Sequence, residues 1–416
     1  MNVIRFTTLD ALAPFAADWD RLSAGVPFRS WPWMSTWWRH YGQCRDGSRS
    51  PKSLYVLGVF DPSGRLSGIA PWYLDQLALK GRTLRFLGSG EVCSEYLTVL
   101  ADPSAQDQVA EAVAHWLTEA AQGRNRGDAS DGWDLLELTG VDAEDFSIGR
   151  LAAELQARGN LVHHRPGPPC WRIDLPETWD QYLAMLSKNR RRQLRLAERK
   201  LVESGRAVFH LVRRPADLPQ AMGILIDLHQ RRRQALGEPG CFASPQFTAF
   251  HRDVMPQLLQ SRQLHLFWID LDGRPVAAEY FLLGKDATYA YQVGLAPDSL
   301  NDSPGKLGNM IGLKYAIASS HKTFDFLRGD EPYKASLRAR PRAMVETRVV
   351  PDRLGARLRW NLWLAGSRAK RWAKTVLRPA PQGFAPTAQR PREAPGDEGL
   401  PPVAGQVELV VAAEER

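Results

Sequence analysis

The sequence predicts an α/β protein with mixed sheets, built from two similar modules and followed by a basic helix and a polar tail. Short apolar runs alternate with helical patterns along most of the chain, which is typical of α/β folds. In both halves, strands lead through a crossover helix to a further strand, which indicates a mixed sheet. Helix pairs precede hairpin-like strands in both halves, so we interpret the chain as a weak internal duplication.

The first module is predicted at 1–165. It opens with an amphipathic helix around Leu12 to Leu22 and a tryptophan-rich segment, FRSWPWMSTWWRHYG. Helices are expected at Gln106–Ala121 and Phe146–Arg158, and strands at SLYVLGVF, LSGIAPWYL, TLRFLGSG, EYLTVLADP and WDLLELTGV, the third pairing with the fourth. In the aromatic segment Trp33, Trp37 and Tyr41 share one helical face, so we expect a core stripe; a stacking platform for a sugar is the alternative.

The second module is predicted at 166–350. Helices are expected at 178–204, 217–236, 245–261 and 302–320. Strands are expected at AVFHLVR, LHLFWIDLDG, RPVAAEYFLLG, TYAYQVGLA and TFDFL. A basic amphipathic helix at 351–378 and a tail at 379–416 complete the chain, and the Pro- and Gly-rich tail is expected to be disordered.

Composition and charge narrow the class of protein. The 416 residues are 44% apolar and 24% charged, as in soluble globular proteins. No run of about 18 apolar residues is present, and Asp10 interrupts the only candidate leader. The four cysteines are scattered without metal-ligand spacing, so we expect a cytoplasmic protein that holds no metal. Eight cations at 353–378 equal the net charge of +8, so the basic balance does not indicate nucleic-acid binding.

The turn before the helix at 302–320 predicts an anion site. The first backbone N–H groups of a helix have no internal partner and face its positive end, which suits phosphate. Ser303 is a candidate N-cap, Pro304 suits the first helical position, and Gly305 allows a phosphate to approach the backbone. An ordinary capped helix start is the alternative.

Two basic segments are candidate phosphate clamps. The helix SKNRRRQLRLAERK places Arg190, Arg191 and five further cations against one acid, Glu198. A solvated amphipathic face is the alternative. In LHQRRRQALGEPGCF, the arginines at 231–233 would join the same cleft. His229, which precedes them, is a candidate general base; a core or capping histidine is the alternative.

The loop RGDEPYK concentrates titratable groups after the strand TFDFL. Asp330 or Glu331 is a candidate base for an acceptor amine or hydroxyl, and Tyr333 is a candidate proton donor to a leaving thiolate. Lys334 would neutralise charge on an oxyanion. A salt-bridged turn is the alternative. Together with the anion site, the loop indicates group transfer from a phosphate-bearing donor.

The basic helix at 353–378 carries Trp360, Trp363 and Trp372 among its cations. This pattern is typical of helices that lie on a membrane surface. RNA or an acidic partner would suit the same charge. A plain surface helix packed on the second module is the third interpretation.

The order of these segments resembles the GNAT-like acyltransferases of the CelD/BcsL type, which are linked to cellulose or exopolysaccharide biosynthesis. The resemblance rests on the helix from Lys188 to Arg195, LHQRR, GRPVAA, Ser303-Pro304-Gly305 and FDFLRGDEPYK. In the first module it rests on Trp33 and Trp37 before Tyr41-Gly42, then GIAPWYL and FLGSG.

This resemblance implies tandem GNAT-like (acyl-CoA N-acyltransferase) modules, as in the Fem-type peptidoglycan aminoacyltransferases. It implies acetyl-CoA or another acyl-CoA as donor, with an amine or hydroxyl of a sugar or polysaccharide precursor as acceptor. The pyrophosphate loop of that family would correspond to a degenerate form here, which adds Lys306, Leu307 and Gly308 to the candidate donor contacts. Aminoacyl-tRNA is the alternative donor, and a non-catalytic accessory module recruited to the inner face of the membrane is the alternative function.

Overall fold

The computed structural model describes residues 1–42, 52–123, 131–302 and 304–376. Its first sheet has the strand order β1-β2-β3-β4-β6-β15-β7, with β5 beside β3. These strands are β1 (Asn2–Phe6), β2 (Ser53–Phe60), β3 (Leu66–Leu77), β4 (Gly81–Phe86), β5 (Leu100–Ala101), β6 (Leu135–Asp142), β7 (Leu161–Pro166) and β15 (Met344–Val350). The pair β4 and β6 is parallel, and the other described pairs of this sheet are antiparallel.

The second sheet has the order β14-β8-β13-β12-β11-β10-β9. Its strands are β8 (Cys170–Asp174), β9 (Ala207–Leu211), β10 (Leu264–Leu271), β11 (Arg274–Leu283), β12 (Ala287–Leu295), β13 (Thr323–Arg328) and β14 (Arg340–Arg342). The pair β12 and β13 is parallel, and the other described pairs are antiparallel. Each sheet therefore contains one parallel pair within antiparallel neighbours, as the crossover pattern of the sequence predicts.

Eleven α-helices lie before β15 in the described part of the chain. They are α1 (Leu9–Leu12), α2 (Ala16–Leu22), α3 (Trp31–Tyr41), α4 (Gln106–Ala121), α5 (Phe146–Ala157), α6 (Trp179–Met185), α7 (Lys188–Ala197), α8 (Leu218–Ala235), α9 (Pro245–Gln260), α10 (Pro304–Ala318) and α11 (Pro332–Ser336). The helix predicted at 178–204 is divided, because Leu186 is extended and Ser187 caps a new helix by accepting from the Arg190 amide. A π-helical turn, Glu198–Glu203, extends α7.

The sequence analysis predicts ten strands, whereas the described residues form fifteen; the strands without a predicted counterpart are β1, β7, β8, β14 and β15. The segment EYLTVLADP does not pair with TLRFLGSG: only Leu100–Ala101 is a strand, and it pairs with β3. Strand β15, which lies inside the predicted second module, inserts between β6 and β7 of the first sheet. The chain thus leaves the first sheet after Pro166, builds the second sheet, and returns at Met344.

The aromatic stripe of α3 forms part of the contact between the two halves. Trp33 and Trp37 are at most 1% exposed, which confirms the core interpretation. The Trp33 ring meets the edge of Phe250 on α9, with the ring centroids 5.0 Å apart. Gln257 Nε2 also donates to Thr36 Oγ1 at 3.0 Å. The two modules therefore share one core.

A helix at the end of the described chain, α12 (Leu354–Val376), corresponds to the predicted basic helix. Its first part, up to Trp363, packs on the first sheet rather than on the second module: Trp360 Nε1 donates to His163 Nε2 at 3.2 Å, and the Trp363 ring lies under the Lys80 ammonium. No helix within the described ranges is both long and apolar enough to cross a membrane. The tail predicted to be disordered, 379–416, lies outside the described residues.

A buried carboxylate joins the first module to β13. Asp325 is 2% exposed and accepts a hydrogen bond from the Tyr96 hydroxyl and another from the Leu327 amide, the latter at 2.7 Å. One residue earlier on the first module, Glu95 accepts from Arg328 Nε. Because Leu327 has a φ of +56°, its backbone conformation depends on this local bonding.

Replacing Asp325 with Ala should strongly destabilise the protein, because the Tyr96 hydroxyl and the Leu327 amide would both lose a buried partner. Each unsatisfied buried group costs about 1–3 kcal/mol, so we expect a loss of about 2–5 kcal/mol in the free energy of unfolding. Urea unfolding would measure it. Tyr96→Phe should lose about 1 kcal/mol, and the exposed Asp286→Ala should change little. Equal stability of D325A and wild type would contradict this account.

Candidate functional site

A cavity of about 580 Å³ opens where β12 and β13 diverge. Their parallel pairing ends at Tyr289 and Asp325. The following residues of both strands line the space, together with the start of α10 and the loop after β13. We call this the main cavity. Another cavity, about 750 Å³ beside β1, is lined mostly by apolar side chains and offers little chemistry.

The start of α10 forms one wall of the main cavity. Gly305, Lys306 and Asn309 line it, and Asn309 Nδ2 donates to the Gly305 carbonyl at 2.8 Å. Ser303 lies outside the described residues. Two other predicted donor contacts are placed elsewhere: Leu307 is 2% exposed in the core, and Gly308 lies against β11.

Cationic side chains continue this wall. Arg190, Arg233 and Arg328 line the main cavity beside Lys306. Arg190 Nη1 donates to Gln193 Oε1 at 3.2 Å, and Nη2 donates to Ser336 Oγ. The adjoining space, about 240 Å³, shares Arg190 and Ser336 and adds Arg338; we call it the Arg338 cavity. Both predicted basic segments therefore contribute to this wall, through Arg190 and Arg233. We call the surface formed by Arg190, Arg233, Lys306 and Arg328 the cationic wall.

Not every predicted cation reaches this wall. Arg191 donates instead to the Leu186 carbonyl at 3.4 Å and is not among the residues that line either cavity. Of the arginine triplet, Arg231 pairs with Asp227 and Asp298 on the surface. Only Arg233 of that triplet lines the main cavity.

Glu279 of β11 is a site residue that sequence reasoning missed. It lines the main cavity and is 4% exposed. Burial raises the pKa of its carboxyl to about 8, since the charged form is poorly solvated there. Helix α10 can lie this close because residue 308 is glycine: a Cβ there would be 2.1 Å from Glu279 Oε1. The sequence feature that could have indicated this residue is the single acidic side chain within the largely apolar strand RPVAAEYFLL.

The loop after β13 supplies Tyr333 and Glu331 to the same cavity. Tyr333 is 41% exposed, with its ring edge-on to Phe326. Burial, then the Glu279 and Glu331 charges, raise the pKa of the Tyr333 phenol, so it stays protonated. Burial opposes ionisation of Glu331, but the Lys334 ammonium at 2.9 Å lowers the pKa of its carboxyl.

Lys334 and Asp330 do not occupy the positions expected for reactive groups. Lys334 is 2% exposed, and its ammonium donates to the carbonyls of Phe326, Arg328 and Gly329 at 3.3, 2.9 and 2.9 Å. These bonds hold the loop together. They direct the Lys334 ammonium at backbone carbonyls, so this ammonium is poorly placed to contact an oxyanion. Asp330 is exposed and is not among the cavity-lining residues.

His229 is likewise a packed residue of α8. It is 3% exposed, its Nδ1 lies 3.1 Å from Gln230 Oε1, and its Nε2 lies 3.6 Å from Cys241 Sγ. Burial lowers the pKa of its imidazole. Since it is not among the residues that line the main cavity, the structure favours the core interpretation over that of a base.

The corresponding place in the first sheet, beyond β4 and β6, is partly filled by the chain itself. The Leu97 amide donates to the Gly140 carbonyl at 2.8 Å. A Cβ at Gly140 would lie 2.6 Å from the Ser94 carbonyl oxygen, so the segment is packed directly against β6. The same segment carries Glu95 into the wall of the main cavity, where burial raises the pKa of its carboxyl and Arg328 partly offsets this.

Residues 188–335 match the family described as an acetyltransferase (GNAT) domain. No curated protein matches the chain in sequence. The crystal structure of FemX is similar over 83% of this chain and 97% of its own, with 10% identity and a TM-score of 0.57. The structure of the C-terminal domain (DUF2156) of a putative lysylphosphatidylglycerol synthetase from Agrobacterium fabrum is similar over 85% of this chain and 96% of its own, with 12% identity and a TM-score of 0.49.

The family match and the similarity to the FemX structure show the class of fold. The match begins with α7 and ends within α11, and it includes the residues that line the main cavity except Cys93, Glu95, Ser336 and Leu337. The predicted α/β fold of two GNAT-like modules with mixed sheets is confirmed, and so is the prediction of a GNAT-type acyltransferase. Among the described residues, no group of three His, Cys, Asp or Glu side chains is arranged to hold a metal ion. The predicted relation to the CelD/BcsL type stays a prediction.

Proposed function

Because residues 188–335 form a GNAT acetyltransferase domain, we propose that this protein transfers an acyl group, in the simplest case acetyl, from acyl-CoA to an amine or hydroxyl of a cell-envelope or exopolysaccharide precursor. The observation that carries the proposal is the main cavity. It joins a cationic wall suited to phosphates to a buried carboxylate and a protonated phenol suited to proton transfer.

The donor would lie along the cationic wall. Gly305 lines the cavity at the first turn of α10, where backbone amides and Lys306 favour a pyrophosphate. The Arg338 cavity adjoins this wall through Arg190, so Arg190 and Arg338 would hold a terminal phosphate. The thioester would then extend between the diverging strands towards Glu279 and Tyr333.

Direct transfer in a ternary complex accounts for the groups present. The acceptor nitrogen or oxygen attacks the thioester carbonyl, forming a C–N or C–O bond while the C–S bond breaks. Glu279, once deprotonated, takes the proton of the nucleophile. Tyr333 donates its proton to the departing thiolate and recovers one from solvent, since it is partly exposed.

The acceptor class rests on the resemblance to the CelD/BcsL type, and aminoacyl-tRNA remains the competing donor. Cations on the exposed face of α7, such as Arg192 and Arg195, are the feature that would suit RNA. A non-catalytic accessory role is the third reading. Measurements of donor binding and of turnover distinguish acyl-CoA-dependent transfer, aminoacyl-tRNA-dependent transfer and the accessory role.

We also propose that α12 contacts an anionic membrane surface from the cytoplasmic side. Leu354, Leu358 and Leu362 repeat at i, i+4, i+8 and are 89, 62 and 64% exposed. Their neighbours Arg357 and Arg359 are also exposed. An apolar stripe flanked by cations suits the boundary between lipid headgroups and acyl chains.

Filling the donor position should weaken donor binding. Gly305→Phe would place a ring at the start of α10, and we expect the acetyl-CoA Kd to rise at least about tenfold, or about 1.4 kcal/mol. Calorimetry would measure it. Gly149→Phe is the matched control, since Gly149 is exposed on α5 with open space around its Cβ position. Wild type that binds tRNA but no acyl-CoA would favour the competing donor.

Glu279→Gln should lower kcat by about 10²–10⁴-fold, the usual contribution of a general base. Since its pKa is raised to about 8, wild-type activity should rise with pH through 8, and the variant should lack this rise.

Stability provides the control for this variant. The raised folded pKa means that the unfolded state ionises first, so the wild type loses stability as pH rises from about 4.5 to 8. E279Q should therefore unfold at a higher temperature than wild type at pH 9. Full activity in E279Q would exclude Glu279 as the base.

Replacing Leu354, Leu358 and Leu362 with Ser should weaken binding to vesicles that contain phosphatidylserine, without changing acetyl-CoA affinity. Co-sedimentation would measure the bound fraction, and pure phosphatidylcholine vesicles should bind little. Replacing the exposed Leu79, Leu236 and Val208 elsewhere on the surface is the matched control. Equal sedimentation of the stripe variant and wild type would rule out this surface.

A further inference from the structure

A small polar chamber of about 240 Å³ lies on the other side of the Glu95–Arg328 pair. Its hydroxyl groups come from Ser89, Ser94 and Thr139, and its charges from Glu95, Arg328 and Glu346. Ser89 follows β4 and Thr139 lies in the last part of β6, so this Ser89 chamber occupies the end of the parallel pair in the first sheet. It is the first module's counterpart of the main cavity.

The two cavities meet at one place. Cys93, Glu95 and Arg328 line both of them. A group seated in the Ser89 chamber is therefore separated from the main cavity only by these three side chains. Glu95 is 2% exposed, whereas the Arg328 side chain is 41% exposed.

The two cavities differ in charge. The lining of the main cavity has five cations against three carboxylates, while that of the Ser89 chamber has two carboxylates against one arginine. Of those two carboxylates, Glu346 is already paired with Arg165 and Arg348 from outside the chamber. Glu95 bonds Arg328 through Oε1, and its Oε2 lies on the side of Gly140, a chamber wall.

A bound phosphate donor would compete with Glu95 for Arg328, because Arg328 also belongs to the cationic wall. The Glu95 carboxylate would then face the chamber without its cation. A buried carboxylate in that state favours an ammonium ligand, and the surrounding hydroxyls favour a ligand with hydroxyl groups. The volume is below the usual range of about 300–1,000 Å³ for drug-sized ligands, so only a small group fits.

We propose that the Ser89 chamber is the acceptor subsite and that it takes a hydroxylated primary amine of the amino-sugar class, with Glu95 holding the ammonium. This inference rests on the proposed function. The ammonium first loses one proton to water, and the resulting amine attacks the thioester carbonyl from the chamber side while Glu279 takes the second proton from the nitrogen. The C–N bond forms, the C–S bond breaks, and the thiolate takes a proton from Tyr333.

The test uses the full chain with acetyl-CoA and D-glucosamine, and D-glucose as the probe without an amine. Free thiol appearance measures transfer, and calorimetry measures acetyl-CoA binding. We expect glucosamine, but not glucose, to accelerate thiol release. Gly167→Leu should raise the KM for glucosamine at least about tenfold with an unchanged acetyl-CoA Kd, because Gly167 lines the chamber and its Cβ position makes only ordinary contacts with Met344.

Gly149→Leu on α5 is the matched control and should behave as wild type. Thr139→Val keeps the volume and removes one hydroxyl, so a several-fold rise in KM is expected even if the glycine variant folds poorly. Acetyl-CoA binding without glucosamine-dependent release, or an unchanged KM in folded G167L and T139V, would overturn the chamber assignment alone. Absence of acetyl-CoA binding in wild type would instead overturn the proposed function on which the assignment rests.

Discussion

The hydrogen bonds of Asp325 set the geometry on which the site depends. This carboxylate lies at the end of the parallel pairing of β12 and β13, and burial raises its pKa to about 6. It accepts the amide of Leu327, whose positive φ lies where β13 departs from regular pairing. It also accepts the hydroxyl of Tyr96, which holds the segment from the first module beside β13. The same buried carboxylate therefore stabilises both the divergence of β12 from β13 and the contact between the first module and β13.

A second constraint concerns the charges that this arrangement buries. Glu279 and Glu95 are 4% and 2% exposed, and taking a carboxylate out of water is unfavourable unless it is neutralised or paired. Glu95 is paired with Arg328, whereas burial alone raises the pKa of Glu279. Unfavourable buried groups are expected at functional sites, where activity and stability compete. The position of Glu279 beneath Gly308 is consistent with that role.

Much of the second module could be predicted from local pattern. Helices α8, α9 and α10 begin next to prolines and carry regular apolar faces, and β10 to β12 are β-rich runs separated by turns. The positions of Lys306, Arg190 and Tyr333 on one cavity follow from the crossover connection, which brings these segments to the same edge of the sheet. Local pattern failed for EYLTVLADP, whose composition suits a strand. Its backbone instead bonds to Gly140, and Glu95 and Tyr96 contact β13.

The sequence by itself determined the α/β class, the two-module order and the start of the helix at Pro304, because helix starts, apolar periodicity and the order of motifs are local properties. Only the tertiary structure decided which titratable groups face the cavity. His229, Lys334 and Leu307 have the right chemistry or spacing in the sequence but are directed into the core or bonded to carbonyls. Glu279 and Glu95 reach the cavity from a central strand and from the other module. Burial and long-range pairing depend on neighbours far along the chain, which local sequence does not specify.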